Sequence, residues 1–229
     1  IRASSYQRGL VVPNDALRRF MDYVVRAGEK RDNFISTGFP KLDSILGGGF
    51  IRGGLYILGA RPAVGKSTFA VNLADGITGN ALFVSLEMSV EQITAKRISR
   101  RVGCSSAGLL SGRLTDRAWE KVAVAMTDIS TKGLYLNDRY DLTVSQIGLL
   151  AQAVPELRAV IVDYLGLIQP AARSASTYEN ISQVSRELKR LALSLNVPVI
   201  CLAQLSRKVE ERQNKRPMLS DLRDSGAIE

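Results

Sequence analysis

Histidine is absent from the 229-residue sequence. Its absence excludes a Ser-His-Asp triad, a histidine general base and any metal centre built on imidazole. Cysteine is scarce, with two residues, Cys104 and Cys201. Cys201 sits in the apolar run VPVICLA and reads as a buried thiol, so no disulfide framework is expected and a reducing cytoplasm fits best. No apolar run approaches the ~20 residues that span a bilayer, and no signal-peptide pattern is present. No membrane attachment is expected. The sequence begins at Ile1 without Met and stops at Glu229 in mid-pattern, which suggests a piece of a longer chain.

Positive charge, by contrast, is plentiful. Lys and Arg number 31 against 22 Asp and Glu, a formal charge of +9. Such a chain attracts polyanions, nucleic acid among them, though charge says nothing about fold. Hydrophobic residues make up 45%, enough for one domain with a real core and at most a small appendage.

Helical periodicity begins at Asn14 and runs to about Lys30, with Leu17, Phe20, Met21 and Val24 on one face. The helix packs either on its own domain or on a neighbouring subunit. Residues 31–54 are loop-rich. Apolar strands then alternate with helices: LYILG (55–59), a helix from about Lys66 to Ile77, ALFVSLE (81–87), a helix opened by the capping box Ser89/Gln92, a helix at 115–129, LYLN (134–137), a helix opened by Thr143/Gln146, AVIVDY (159–164), an amphipathic helix at 177–196 and VPVICLAQ (197–204). The last 25 residues read as polar, charged and looped. The alternation predicts an α/β fold, a mostly parallel twisted sheet covered by helices on both faces. Ligands of such sheets bind beyond the carboxyl ends of the strands.

Four strand ends deliver complementary chemistry to that edge. After LYIL comes ARPAVGKST: Ala60, Arg61, Pro62, Ala63, Val64, Gly65, Lys66, Ser67 and Thr68. It fits the phosphate-loop pattern G-x-x-x-x-G-K-[ST] except at its first position. Such a loop offers backbone N–H groups and a helix N-terminus to phosphate, with Lys66 for the β/γ-phosphates and the Ser67 hydroxyl for Mg²⁺. Ala at the first position is tolerable if its φ is negative. Asp163 follows four apolar residues, the pattern of the acidic residue that holds Mg²⁺ beside a phosphate loop. Glu87, expected at the end of the strand neighbouring that loop, can orient and deprotonate a water for in-line attack; otherwise it favours the following helix dipole. Gln204 can hydrogen-bond the γ-phosphate or its water.

STGFPKLDSILGGG, GARPAVGKSTFAVNLA, FVSLEMS, AVIVDYLGLI, VPVICLAQLSR and KRPMLSDLRDSGAIE occur in that order. Together they make residues 35–229 resemble the ATPase domain of DnaB-like replicative DNA helicases, hexameric ring motors with a RecA-like P-loop NTPase core. The family commonly begins its phosphate loop with Ala-Arg-Pro, so Ala60 follows the family pattern. The resemblance implies ATP and Mg²⁺ held by Lys66, Ser67 and Asp163, with Glu87 as catalytic base and Gln204 as the link from γ-phosphate to DNA. Arg223, Asp224 and Gly226 match the loop that grips the single-strand backbone, although Glu is more usual at the Asp224 position. Residues 1–34 resemble a linker whose helix docks on the next subunit, and residues 170–178 sit where a second central-channel loop would be. The family's arginine finger and last strands would follow beyond Glu229, and primase and a helicase loader would be met through regions outside this chain. Two rival readings share these motifs, a RecA-like recombinase or clock-type ATPase and an adaptor that uses ATP to bind a protein. The basic cluster Lys96, Arg97, Arg100 and Arg101 is open to three readings: a subunit interface, a nucleotide contact or a solvated face.

Overall fold

The computed structural model describes residues 10–30, 33–172, 174, 176–206, 208–218 and 221–222. The chain divides into two units, residues 1–34 and residues 35–229. In the first, helix α1 (Pro13–Lys30) carries Asp15 in its first turn, where a carboxylate favours the helix dipole. It starts on Pro13, one residue before the expected Asn14, and ends at Lys30.

Residues 31–54 hold more structure than their composition suggests. Strand β1 (Phe34–Ile35) pairs with β2 (Phe50–Ile51), and helix α2 (Pro40–Ile45) lies between them. The Asp43 carboxylate organises this corner: it accepts the Thr37 N–H at 2.8 Å and the Ser36 hydroxyl at 2.6 Å. Partial burial pushes the Asp43 carboxyl up, but these hydrogen bonds outweigh it and hold the group below the usual carboxylate range. Residues 37–38 also press on the main domain. A Cβ on Gly76 would lie 2.9 Å from the Thr37 carbonyl oxygen and 3.0 Å from Gly38 Cα, so Gly76 permits two backbones to touch.

The main sheet is built from β3 (Leu55–Ala60), β4 (Asn80–Ser85), β5 (Leu134–Asn137), β6 (Leu157–Asp163) and β7 (Val199–Gln204). All pairings are parallel, in the order β3-β7-β6-β4-β5. The crossovers are α3 (Lys66–Gly76), α4 (Val90–Val102) with α5 (Ser106–Leu110) and α6 (Asp116–Ser130), α7 (Val144–Gln152), and α8 (Thr177–Leu195). Both capping boxes form, Ser89 with Gln92 and Thr143 with Gln146.

Side-chain alternation explains the unbroken apolar runs. Leu82, Val84, Val160, Val162, Val199 and Cys201 face a core with Ile147 and Leu188, from α7 and α8. Ala81, Phe83, Ala159, Ile161, Ile200 and Leu202 face a second core with Val71 and Leu73 of α3 and Ile93 of α4. A strand buried on both faces cannot alternate with polar residues, so it reads as continuous Val, Ile and Leu. β4, β6 and β7 are of this kind, whereas every residue of β3 is half-buried.

Glu87 does not stand on the strand beside the phosphate loop. The neighbour of β3 is β7, and β6 also intervenes before β4. The order follows from long-range pairing, which the local apolar pattern does not encode.

Candidate functional site

Strand β3 ends at Ala60, in register with Gln204 at the end of β7, and the Leu205 N–H extends the ladder by donating to the Ala60 carbonyl at 3.0 Å. Ala60 is not among the residues of positive φ, so Ala replaces Gly there without strain. Two residues of the following loop are left-handed: Ala63 at φ 63° and Gly65 at φ 97°. Gly65 is the N-cap of α3, and nothing lies within 4 Å of a Cβ built on it. Its bareness leaves the helix N-terminus open to an anion.

Asp163, at the end of β6, is 1% exposed. Lys66 Nζ lies 3.2 Å from its Oδ1 and 4.1 Å from the centre of the Tyr164 ring. Neither carboxylate oxygen accepts a hydrogen bond. The main chain holds Asp163 in place, because its carbonyl accepts the Leu86 N–H at 2.7 Å. That contact joins β6 to the turn after β4. Buried Ser85 anchors the turn, donating to the Met88 carbonyl at 2.6 Å and accepting the Met88 N–H at 2.9 Å. Glu87 is exposed at the tip of this hook. Burial raises the Tyr164 phenol above its ordinary range, with the negative charges of Glu87 and Asp163 adding to it.

A cavity of about 320 Å³ opens here, lined by Ala60–Ala63, Gly65–Thr68, Glu87, Met88, Lys96 and Gln204; Asp163 is not in its lining and touches it only through Lys66. The sheet order is not the expected one, yet three of the four ends still meet at the cavity and the fourth, Asp163, is joined to it through Lys66, because all the strands are parallel and end on one edge. Val64 alone of the expected loop residues does not line the cavity and stands exposed. Arg223, Asp224 and Gly226 lie outside the described residues.

A buried carboxylate whose oxygens accept no hydrogen bond, paired to Lys66 next to Ser67 in the sequence, suits a hard divalent cation, which takes oxygen ligands. Among the described residues no cluster of three His, Cys, Asp or Glu side chains could hold a metal alone. A cation at Asp163 and Ser67 would take its remaining ligands from phosphate and water, as Mg²⁺ does.

The basic cluster on α4 resolves into different roles. Arg97 Nε donates to Asp75 Oδ1 at 2.8 Å and Arg101 Nη1 to Asp75 Oδ2 at 3.0 Å, while Arg101 Nε reaches Asp128 Oδ2 at 2.8 Å. Those two arginines pin α3, α4 and α6 together. Arg100 bonds Asn72, and Lys96 alone points into the cavity wall, donating to Thr68 Oγ1 at 3.3 Å. Sequence reasoning did not single out Met88, nor Tyr164, whose signal was an aromatic directly after Asp163. Cys201 is fully buried, and burial, then the nearby Asp163 carboxylate, raises its thiol far above the ordinary range, leaving it inert.

Residues 34–229 match the profile of the DnaB-like helicase C terminal domain. The chain belongs to that family. Over 203 residues it is 41% identical to the replicative DNA helicase DnaB of Geobacillus stearothermophilus, covering 85% of this chain and 44% of that protein. It is 42% identical over 204 residues to the replicative DNA helicase DnaC of Bacillus subtilis, again covering 85% and 44%. The chain thus spans less than half the length of these relatives. The solved ATPase domain of G40P superposes with a TM-score of 0.83 at 33% identity, covering 93% of this chain and 79% of that one. A DnaB-like replicative helicase whose structure was described with its interactions with primase gives 0.82 at 31%, covering 96% and 54%. The RecA-like α/β fold expected of the DnaB-like family is therefore the fold observed.

Proposed function

We propose that this chain is the motor domain of a replicative DNA helicase, which hydrolyses ATP to move along single-stranded DNA and unwind duplex. The observation that carries the reading is the convergence of the phosphate loop, Glu87 and Gln204 on one 320 Å³ cavity, with Lys66 of its lining paired to the buried Asp163. The loop from Ala60 to Thr68 cradles the phosphates of ATP, with Lys66 as their cation. Ser67 and Asp163 hold Mg²⁺, which would neutralise charge on the β- and γ-phosphates. Glu87 orients a water and takes its proton at the carboxylate, while Gln204 senses the γ-phosphate and passes its state to the segment that follows. Arg223, Asp224 and Gly226 grip the backbone of the strand, so binding is sequence-tolerant and salt-sensitive.

The domain works as a ring homo-hexamer with ATP at the subunit interfaces, and the linker helix α1 docks on the next subunit. Primase and a loader engage regions outside this chain. Among the described residues no helix is long and apolar enough to cross a membrane, and the two free thiols favour a cytoplasmic setting.

The test is steady-state ATP hydrolysis with and without single-stranded DNA, for the wild type and Lys66→Ala. DNA should stimulate turnover, and Lys66→Ala should abolish it. Turnover indifferent to DNA, or normal turnover in Lys66→Ala, refutes the reading.

A further inference from the structure

Besides Gln204, the nucleotide cavity is tied to the segment after β7 by a second connection. Arg61, the residue after Ala60 in the phosphate loop, spans to that segment. Its Nε and Nη2 donate to Glu210 Oε1 at 2.9 and 2.6 Å, and its Nη1 donates to the Leu205 carbonyl at 3.1 Å. The Arg61 side chain is 14% exposed and that of Glu210 is 60% exposed. The guanidinium is thus fixed into the cavity wall, and the carboxylate clips it from outside.

Gly59 makes an independent contact one residue before the loop. A Cβ there would meet Leu205 Cδ2 at 2.9 Å and Leu222 Cδ2 at 3.1 Å, so these two leucines are seated on bare backbone of β3. The described residues of segment 205–222 also pack on one another. Leu205, Val209 and Leu222 form a small core with Ala203, the Ser206 N–H donates to the Asp221 carbonyl at 3.0 Å, and Arg212 pairs with Asp221. Arg223, Asp224 and Gly226 follow directly on Leu222 in the sequence.

The geometry points to Glu210 as a positioning residue that, through Arg61, couples the phosphate loop to the segment leading into the DNA grip. Glu210 does not line the cavity, whereas Arg61 does. A phosphate oxygen and a carboxylate oxygen are acceptors of the same kind for a guanidinium. A triphosphate in the cavity therefore competes with Glu210 for Arg61, and the outcome changes how firmly segment 205–222 is held. Linkage makes the effect reciprocal: whatever factor nucleotide imposes on DNA affinity, DNA imposes on nucleotide affinity.

The inference rests on the proposed nucleotide and DNA binding, and one binding experiment separates the two. The affinity of a non-hydrolysable fluorescent ATP analogue with Mg²⁺ is measured with and without an oligothymidylate strand, at fixed salt, for the wild type, Glu210→Gln and Glu210→Ala. The strand's affinity is measured with and without the analogue. In the wild type the two ligands should modulate each other by one common factor, within the ~5–150-fold range of such couplings. Both variants should bind the analogue alone at least as tightly as wild type and up to about fivefold tighter, because Arg61 has lost its competing carboxylate, should keep strand affinity alone within about twofold, and should lose roughly three- to fivefold of the coupling, as suits one half-exposed, charge-assisted pair. Coupling unchanged in both variants overturns the inference and leaves the nucleotide and DNA reading standing. Wild type that binds both ligands without coupling overturns it as well. If the wild type fails to bind nucleotide or strand, the underlying reading falls and takes the inference with it.

Discussion

Asp163→Asn sets stability and function against each other in a way the geometry allows to be weighed. The substitution removes a charge from a residue that is 1% exposed and whose oxygens accept no hydrogen bond. At 3.2 Å, attraction to Lys66 amounts to about 5 kcal/mol with an effective dielectric near 20. Keeping a carboxylate out of water costs several kcal/mol in the opposite direction. Lys66, left behind, opens on the cavity and can be hydrated. The two quantities nearly cancel, so the variant's own unfolding free energy should change by less than about 2 kcal/mol, or about 8 °C in Tm. Stabilisation by nucleotide should behave otherwise. A ligand at a hundred times its Kd adds about 2.7 kcal/mol, roughly 5–11 °C for a domain of this size. The wild type should show that increment with ATP and Mg²⁺, and Asp163→Asn less than about a third of it. With chelator the two proteins should respond alike. Differential scanning fluorimetry under these conditions reads all four quantities. A loss above about 4 kcal/mol without ligand would make the carboxylate a structural element. A full Mg²⁺-dependent increment in the variant would remove Asp163 from the metal site.

Glu87→Gln should keep the nucleotide-induced rise in Tm and lose about 10²–10⁴-fold in turnover; normal turnover places the base elsewhere. Asp75→Ala should cost about 3–5 kcal/mol in urea denaturation, because it strands two guanidinium groups, one of them buried, whereas Asp128→Ala, at the exposed end of the same network, should do far less. Equal effects would show that the network is not anchored at Asp75. Gly76→Ala should cost about 1–3 kcal/mol, read as a lower urea midpoint at constant m, since its new methyl meets backbone that cannot yield. Gly28→Ala, with nothing within 4 Å, is the neutral or stabilising control.

The parts of the molecule legible in the sequence are those governed by local rules. Runs such as AVIV and VICLA announce strands buried on both faces, and Ser89/Gln92 and Thr143/Gln146 announce helix starts that form as read. The cavity was legible because chemistry stood at four strand ends. Strand order was not, since the insertion of β7 and β6 between β3 and β4 depends on pairings distant in sequence. Residues 31–54 hid a six-residue helix and two-residue strands, too short to show a period, and their organiser is the side chain of Asp43. The roles of Arg97 and Arg101 depend on Asp75 and Asp128, which two other helices supply. Ala63 at φ 63° has no local signature at all, since left-handed backbone usually selects glycine or asparagine.

Strand β3 has a further consequence for motion. Among the described residues it is bound on one side only, by β7, while β7, β6 and β4 are each flanked on both sides. Amide groups in the middle of the sheet should therefore exchange with solvent only through large-scale opening, and those along the outer side of β3 through much smaller fluctuations. The phosphate loop thus hangs from the margin of the sheet rather than from its rigid centre. A loop so mounted can shift with its contents, and the strand it moves against, β7, is the one that leads into segment 205–222.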